Sequence, residues 1–290
     1  MLTKLNSIDR RFIYLLLLVT VSIGLIVDVK LPAIPSNQVR AAYDTIEAIG
    51  KDLETHPEKK DKLCIIGAEW SASTKGENGP QTRALLHHLM RKHIKFAIMG
   101  FDPQGPDNVA GIAEALAKDY GYVYGKDWIN WGYRNENAVT PKLKALVRDI
   151  PTAMEHDTNN TSLRDYDKLP IMKDIKDMND VILMIDITPS GTADAWVAFV
   201  QGVKNTPFVY SPTAVMAPEA YQYLDSGQMV GMLTGLKGAI EYEYLIGKPS
   251  DATRQALALS IAHVLIVVLI VIGNMGYLAE KRRKQAERGA

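Results

Sequence analysis

With a single cysteine in 290 residues, the chain can form no internal disulfide framework. Cys64 sits in the apolar run LCIIGA with no histidine or basic neighbour to activate it, so it reads as a buried, inert thiol. Net charge is also missing: 33 Lys+Arg balance 33 Asp+Glu, which gives no support to a nucleic-acid partner, since that would show as a basic stripe. The sequence contains no GxxxxGK[ST], no GxGxxG and no G-x-S-x-G, so phosphate loop, dinucleotide fingerprint and nucleophile elbow are all absent. His87, His88 and His93 cluster, but adjacent helical residues point about 100° apart and cannot make an i, i+4 metal pair. Arg83, His87 and Arg91 instead read as a solvated basic stripe. No internal repeat or low-complexity tract is present. Nothing in the sequence names a reaction.

What the chain does have is two apolar ends around a polar middle. Ala256 to Leu278 is long enough, at a helical rise, to cross a bilayer, and it holds no Asp, Glu, Lys or Arg. A basic cluster follows at once, Lys281-Arg282-Arg283-Lys284. Near the start, Lys4, Arg10 and Arg11 precede the apolar run Phe12 to Val27, which has no A-x-A-like sequel and reads as an uncleaved signal anchor extending to Leu31. Basic residues crowd both tails, whereas the inner flanks hold mainly Lys30, Lys248 and Arg254. By the positive-inside rule the expectation is a two-pass protein of the plasma (inner) membrane. Residues 1–11 and 279–290 would be cytoplasmic, 12–31 and 256–278 transmembrane, and 32–255 periplasmic or extracellular.

The middle reads as one α/β domain. Ser36 can cap a helix to about Leu53, and Leu63–Ala68 is apolar throughout, as expected of a strand buried on both faces. A helix opened by Pro80 runs to His93, then a strand over Ile94–Met99 and a helix over about Asn108–Asp119. Val181–Ile187 is the strongest strand, followed by a helix over about Thr192–Val203 and a short last strand, Phe208–Tyr210. Helices are expected at Pro218–Leu224 and about Met229–Ile246. Alternating strands and helices predict a mostly parallel sheet covered by helices, in Rossmann-like layers. Residues 121–180 read as a long insertion with one strand, a helix capped by Thr140, the mobile-looking loop HDTNNTSLRDYDK and a short helix over Ile171–Met178. Its aromatics, among them Tyr122, Tyr124, Trp128 and Trp131, read as packing ahead of a sugar or partner surface.

In such sheets ligands bind beyond the carboxyl ends of the strands. Three loops qualify, carrying Glu69, Ser71, Ser73, Thr74 and Lys75; Asp102 and Gln104; and Thr188, Ser190, Gly191, Thr192 and Asp194. Their hydroxyls would suit a small anionic ligand, or simply cap helices. Glu69, Asp102 and Asp186 stand at strand ends, and if those strands are neighbours the three carboxylates would suit Mg²⁺ or Ca²⁺. No organic cofactor is implied. Within the second span Ser260, His263 and Asn274 lie near one helical face, and Thr20 and Gly24 on the first span could answer them or leave them to another membrane subunit. The first expectation is therefore a non-catalytic subunit or scaffold of a membrane complex, assembled with other integral membrane subunits or itself. The alternatives are a metal-dependent hydrolase or phosphotransfer-type enzyme using the three carboxylates, and a ligand sensor that signals through a partner.

Overall fold

The structure is a computed structural model and describes residues 9–27, 33–135, 137, 139–248 and 251–288. It divides into a unit built on the two end helices and a unit over Ala33–Pro249. Residues 28–31 of the expected first span lie outside the described residues.

In the larger unit, β1 (Leu63–Ala68), β2 (Lys95–Gly100), β3 (Trp128–Tyr133), β4 (Val181–Thr188), β5 (Phe208–Pro212) and β6 (Gly231–Met232) make one parallel sheet. Its order is β3-β2-β1-β4-β5-β6, the doubly wound Rossmann-like layout. Successive strand residues point to opposite faces, so an apolar strand feeds two cores. Leu63, Ile65, Met184 and Phe208 face one way, and Cys64, Ile66, Leu183 and Val209 the other.

The second face is covered by α2 (Asn37–Thr55), α3 (Lys75–Arg91), α4 (Gly105–Tyr120) and α10 (Gly235–Ile246). On the first lie α5 (Val139–Arg148), α6 (Ile150–Met154), α9 (Ala217–Asp225), and a continuous helix made of α7 (Ala193–Trp196), a π-helical turn (Val197–Gln201) and α8 (Gly202–Lys204).

Several expectations need correction. Pro80 does not open α3 but lies inside it, where its missing N–H costs one bond, to the Gly76 carbonyl. The expected helix from Met229 begins at Gly235, because Gly231–Met232 pairs with β5 as a sixth strand. The loop HDTNNTSLRDYDK is anchored by buried Leu163, and Leu143, Leu146, Ile150, Ile171 and Met178 around it also bury against the first face. Its stretch around Asp157 is tied down. Asp157 Oδ1 accepts from the N–H groups of Asn159 (3.0 Å) and Thr161 (2.8 Å), and Oδ2 from Tyr124 OH (2.8 Å). In place of the expected helix over Ile171–Met178 there are two 3₁₀ turns, Pro170–Met172 and Met178–Asp180.

The basic stripe on α3 is only partly solvated, with Arg83, His87 and Arg91 all half-buried. His87 bonds Tyr120 OH (2.9 Å), and fully buried His88 lies between Tyr242 OH (2.6 Å) and Glu47 Oε1 (3.0 Å).

In the smaller unit α1 (Arg10–Ile26) packs along α11 (Asp251–Arg288). Residues 252–279 of α11 have a mean hydropathy reaching 2.8 and are long and apolar enough to cross a membrane. Gly24 makes the helix contact: a Cβ there would stand 2.5 Å from Ala258 Cα. From Ala258 the least exposed positions of α11 recur as Ala262, Leu265, Leu269, Ile272 and Gly276, the three- and four-residue spacing of a helix seam.

Candidate functional site at the β1/β4 switch point

The sheet changes winding direction between β1 and β4, the position at which sheets of this order generally part their carboxyl-end loops into a crevice. The register sets Gly67 beside Asp186 and Ala68 beside Ile187, which places Glu69 and Asp186 on the first face at the floor of that crevice. Both are buried, at 5% and 1% exposure.

Glycines make the room. A Cβ on Gly67 would lie 2.6 Å from Asp186 Oδ1, and Cβ atoms on Gly100 and Gly105 would come within 2.2 Å and 1.9 Å of the Ala68 carbonyl oxygen. The β2–α4 loop thereby closes onto the end of β1. Its Phe101 and Asp102 N–H groups both donate to Glu69 Oε2, at 2.8 and 3.0 Å. Asp186 Oδ2 accepts from the Thr192 hydroxyl at 2.6 Å. Each carboxylate keeps one buried oxygen without a partner, Glu69 Oε1 and Asp186 Oδ1.

Electrostatics follow from that geometry. Burial, then the Asp186 carboxylate, push Glu69 well above the usual carboxylate range, against its two backbone donors. Burial likewise raises Asp186, opposed by Thr192 and the Trp196 indole. Two such groups side by side disfavour double ionisation, so the pair holds a proton at pH values where ordinary carboxylates have lost theirs.

The third carboxylate of the expected metal site does something else. Asp102 Oδ1 accepts from the Gln104 and Gly105 N–H groups (2.8 and 3.0 Å) and so caps α4. Among the described residues no three His, Cys, Asp or Glu side chains are grouped to hold a metal ion. The trio is thus a pair plus a cap.

The hydroxyls expected to greet an anion are mostly engaged with one another. Ser71 and Ser73 share a bond (2.8 Å), as do Thr188 and Ser190 (2.9 Å), while Thr74 Oγ1 is buried without a partner. Lys75 and Gly191 are exposed on the rim, and Asp194 accepts from Tyr223 OH on α9 (2.7 Å).

The sequence reading missed the polar start of α3. Glu77 Oε2 accepts the Ala214 N–H (2.8 Å), and buried Gln81 Nε2 donates to the carbonyls of Pro212 (2.8 Å) and Leu233 (2.7 Å). Its signal was the uncharacteristically polar opening GENGPQ in a helix destined for a core.

On α11, Ser260, His263 and Asn274 are all exposed. At 100° per residue they lie about 140° to 200° round from the Ala258 seam, away from α1. Thr20 bonds back to Leu16 O (2.6 Å) and His263 to Leu259 O (2.8 Å), so neither crosses between the helices. Of the five proposed contact residues Gly24 makes a close approach to α11, and half-buried Thr20 lies one turn before it on the same face of α1.

No protein family, curated protein or solved structure matches this chain. Fold and site therefore define a class: a Rossmann-like α/β domain with a buried carboxylate pair at its switch point, in a chain that also carries a helix apolar enough to span a membrane.

Proposed function

We propose that the chain is a membrane-anchored α/β module that works as a subunit of a membrane complex, with a small-molecule site at the β1/β4 crevice. The observation that carries this reading is the placement of Ser260, His263 and Asn274 on the outward side of an otherwise apolar helix. Polar groups in hydrocarbon are costly and face other helices or cavities; here α1 is not their partner, so another helix is. The basic residues of both tails favour a two-pass topology with both ends cytoplasmic and the α/β unit outside. Two buried carboxylates on the crevice floor argue against the small anion and in favour of a ligand that brings hydrogen-bond donors.

The test is purification of the full chain from gently solubilised membranes, beside a Ser260→Leu, His263→Leu, Asn274→Leu variant. Wild type should migrate as an assembly and the variant as a smaller species. A monomeric wild type, or an unchanged complex in the variant, defeats the reading.

The carboxylate pair favours a second reading, general acid–base catalysis, because a proton held near neutrality is what such chemistry requires. Carboxyl ¹³C titration of the Glu and Asp side chains separates the two. A proton released in the neutral range keeps catalysis open, whereas full ionisation by pH 5 removes it.

A further inference from the structure

A second concavity shares none of its residues with the crevice. It is a groove of about 700 Å³ on the second face, between α4 and the outer strand β3. That volume is within the usual range for small-molecule sites.

Its apolar lining comes from Ala110, Gly111 and Ala117 on the α4 side and from Tyr122, Val123, Tyr124 and the buried Trp128 on the other. Phe96 stacks against both Tyr122 and Trp128, at 6.0 and 6.1 Å between ring centroids, and packs them into the core. The rim is polar and nearly balanced in charge, with Asp107, Glu114 and Lys118 along α4 and Thr158 and Asn159 opposite. That opposite wall is preformed. Thr158 N–H donates to the Asn130 carbonyl (2.9 Å), Asp157 gathers the turn through Asn159 and Thr161, and Gly132, at φ 80°, lets Thr158 pack close.

An aromatic and aliphatic floor takes the C–H face of a sugar ring, and carboxylates, amides and hydroxyls at the rim take its hydroxyls. No basic cluster is present to hold a phosphate, and the mixed rim charges give no drive for a strongly charged ligand. From this geometry we infer that the α4–β3 groove is a binding site for a neutral oligosaccharide.

The test uses the full chain in nanodiscs, because sugar-headed detergents would compete. Maltohexaose, cellohexaose and chitohexaose are each titrated by calorimetry to low-millimolar concentration. Gly111 is exposed and a Cβ there meets nothing within 4 Å, so Gly111→Tyr fills the groove without disturbing the fold. At least one of the three should bind, with affinity falling about ten-fold or more in Gly111→Tyr at unchanged melting temperature. Glu114→Gln should weaken binding by a smaller factor. No heat with any of the three sugars, or binding that Gly111→Tyr leaves intact, overturns the proposal.

Discussion

Gly67 and Asp186 sit side by side on β1 and β4, and the aspartate's Oδ1 occupies the space a Cβ on the glycine would need, 2.6 Å away. Gly67→Ala should therefore destabilise the α/β unit by about 1–3 kcal/mol, as overpacking of a close-packed interior does. Combined with Asp186→Ala, which removes the obstructing oxygen, the same substitution should cost much less than the two single effects added together. Urea unfolding followed by tryptophan fluorescence reads this out, with Trp196 beside the site at 3.3 Å from the built Cβ. Strict additivity would mean that Asp186 does not set the glycine requirement.

The carboxylate pair makes stability depend on pH with a definite sign. Folded Glu69 and Asp186 keep protons that the unfolded chain releases from about pH 4 upward, so stability falls as pH rises until the folded groups ionise. Glu69→Gln with Asp186→Asn abolishes that fall. The variant should match wild type near pH 4 and exceed it by about 1–3 kcal/mol at pH 8, where wild type buries charge without full pairing. Denaturation midpoints across that range measure the difference, and a variant less stable than wild type at pH 8 would show the ionised pair to be stabilising.

Histidines oppose the carboxyls between about pH 4 and 6.5. Burial holds His88 down at about 4 although Glu47 pulls the other way, and burial with Lys248 and Arg83 does the same to His87, also to about 4. The folded protein keeps both neutral while the unfolded chain takes up protons, so this contribution is lost as pH drops below about 6.5. Neutral His88 must carry its proton on Nε2, since Glu47 only accepts, leaving Nδ1 to accept from Tyr242. Tyr242→Phe orphans Nδ1 and should cost about 1–3 kcal/mol at pH 7. His88→Gln should flatten the acid limb of the stability profile; an unchanged limb would place its origin elsewhere.

These sites show which parts of the molecule local sequence carries. LCIIGA and VILMIDI announce strands buried on both faces because they are apolar apart from Asp186 near the end of the second, and β1 and β4 begin where those runs begin. Gly231–Met232 left no such trace: two residues among Met229, Leu233 and Leu236 fit helical spacing equally well, and only pairing with Tyr210 and Val209 makes them a strand. The general rule for parallel sheets points to the loops beyond the strand ends, but it does not say which side chains meet there, because strand order decides whether Glu69 meets Asp186 or Asp102 meets either. Asp102 acting as a cap was readable in DPQG, since an aspartate just ahead of a helix start accepts its free N–H groups. Likewise the polar residues of α11 were visible, but which side of the helix faces α1 depends on Gly24 meeting Ala258.

Gln81 is the test of how the polar start of α3 holds the carboxyl edge of the sheet. Its Nε2 serves the carbonyls of Pro212, Leu233 and Gly235 at 2.8, 2.7 and 3.2 Å, and its Oε1 accepts from Asn78 Nδ2 at 2.8 Å, all out of water. Gln81→Leu keeps the volume but removes the donor to the Pro212 and Leu233 carbonyls and the acceptor for Asn78, and a buried polar group without a partner costs about 1–3 kcal/mol. The loss should be local as well as global. Hydrogen exchange should accelerate at residues 211–216 and 233–236, where β5 and β6 end against α3, and change least along β1, whose ladder bonds to β2 and β4 remain. Uniform acceleration across the sheet would instead mean that the edge and the central strands open as one cooperative unit, with Gln81 contributing only to its total stability.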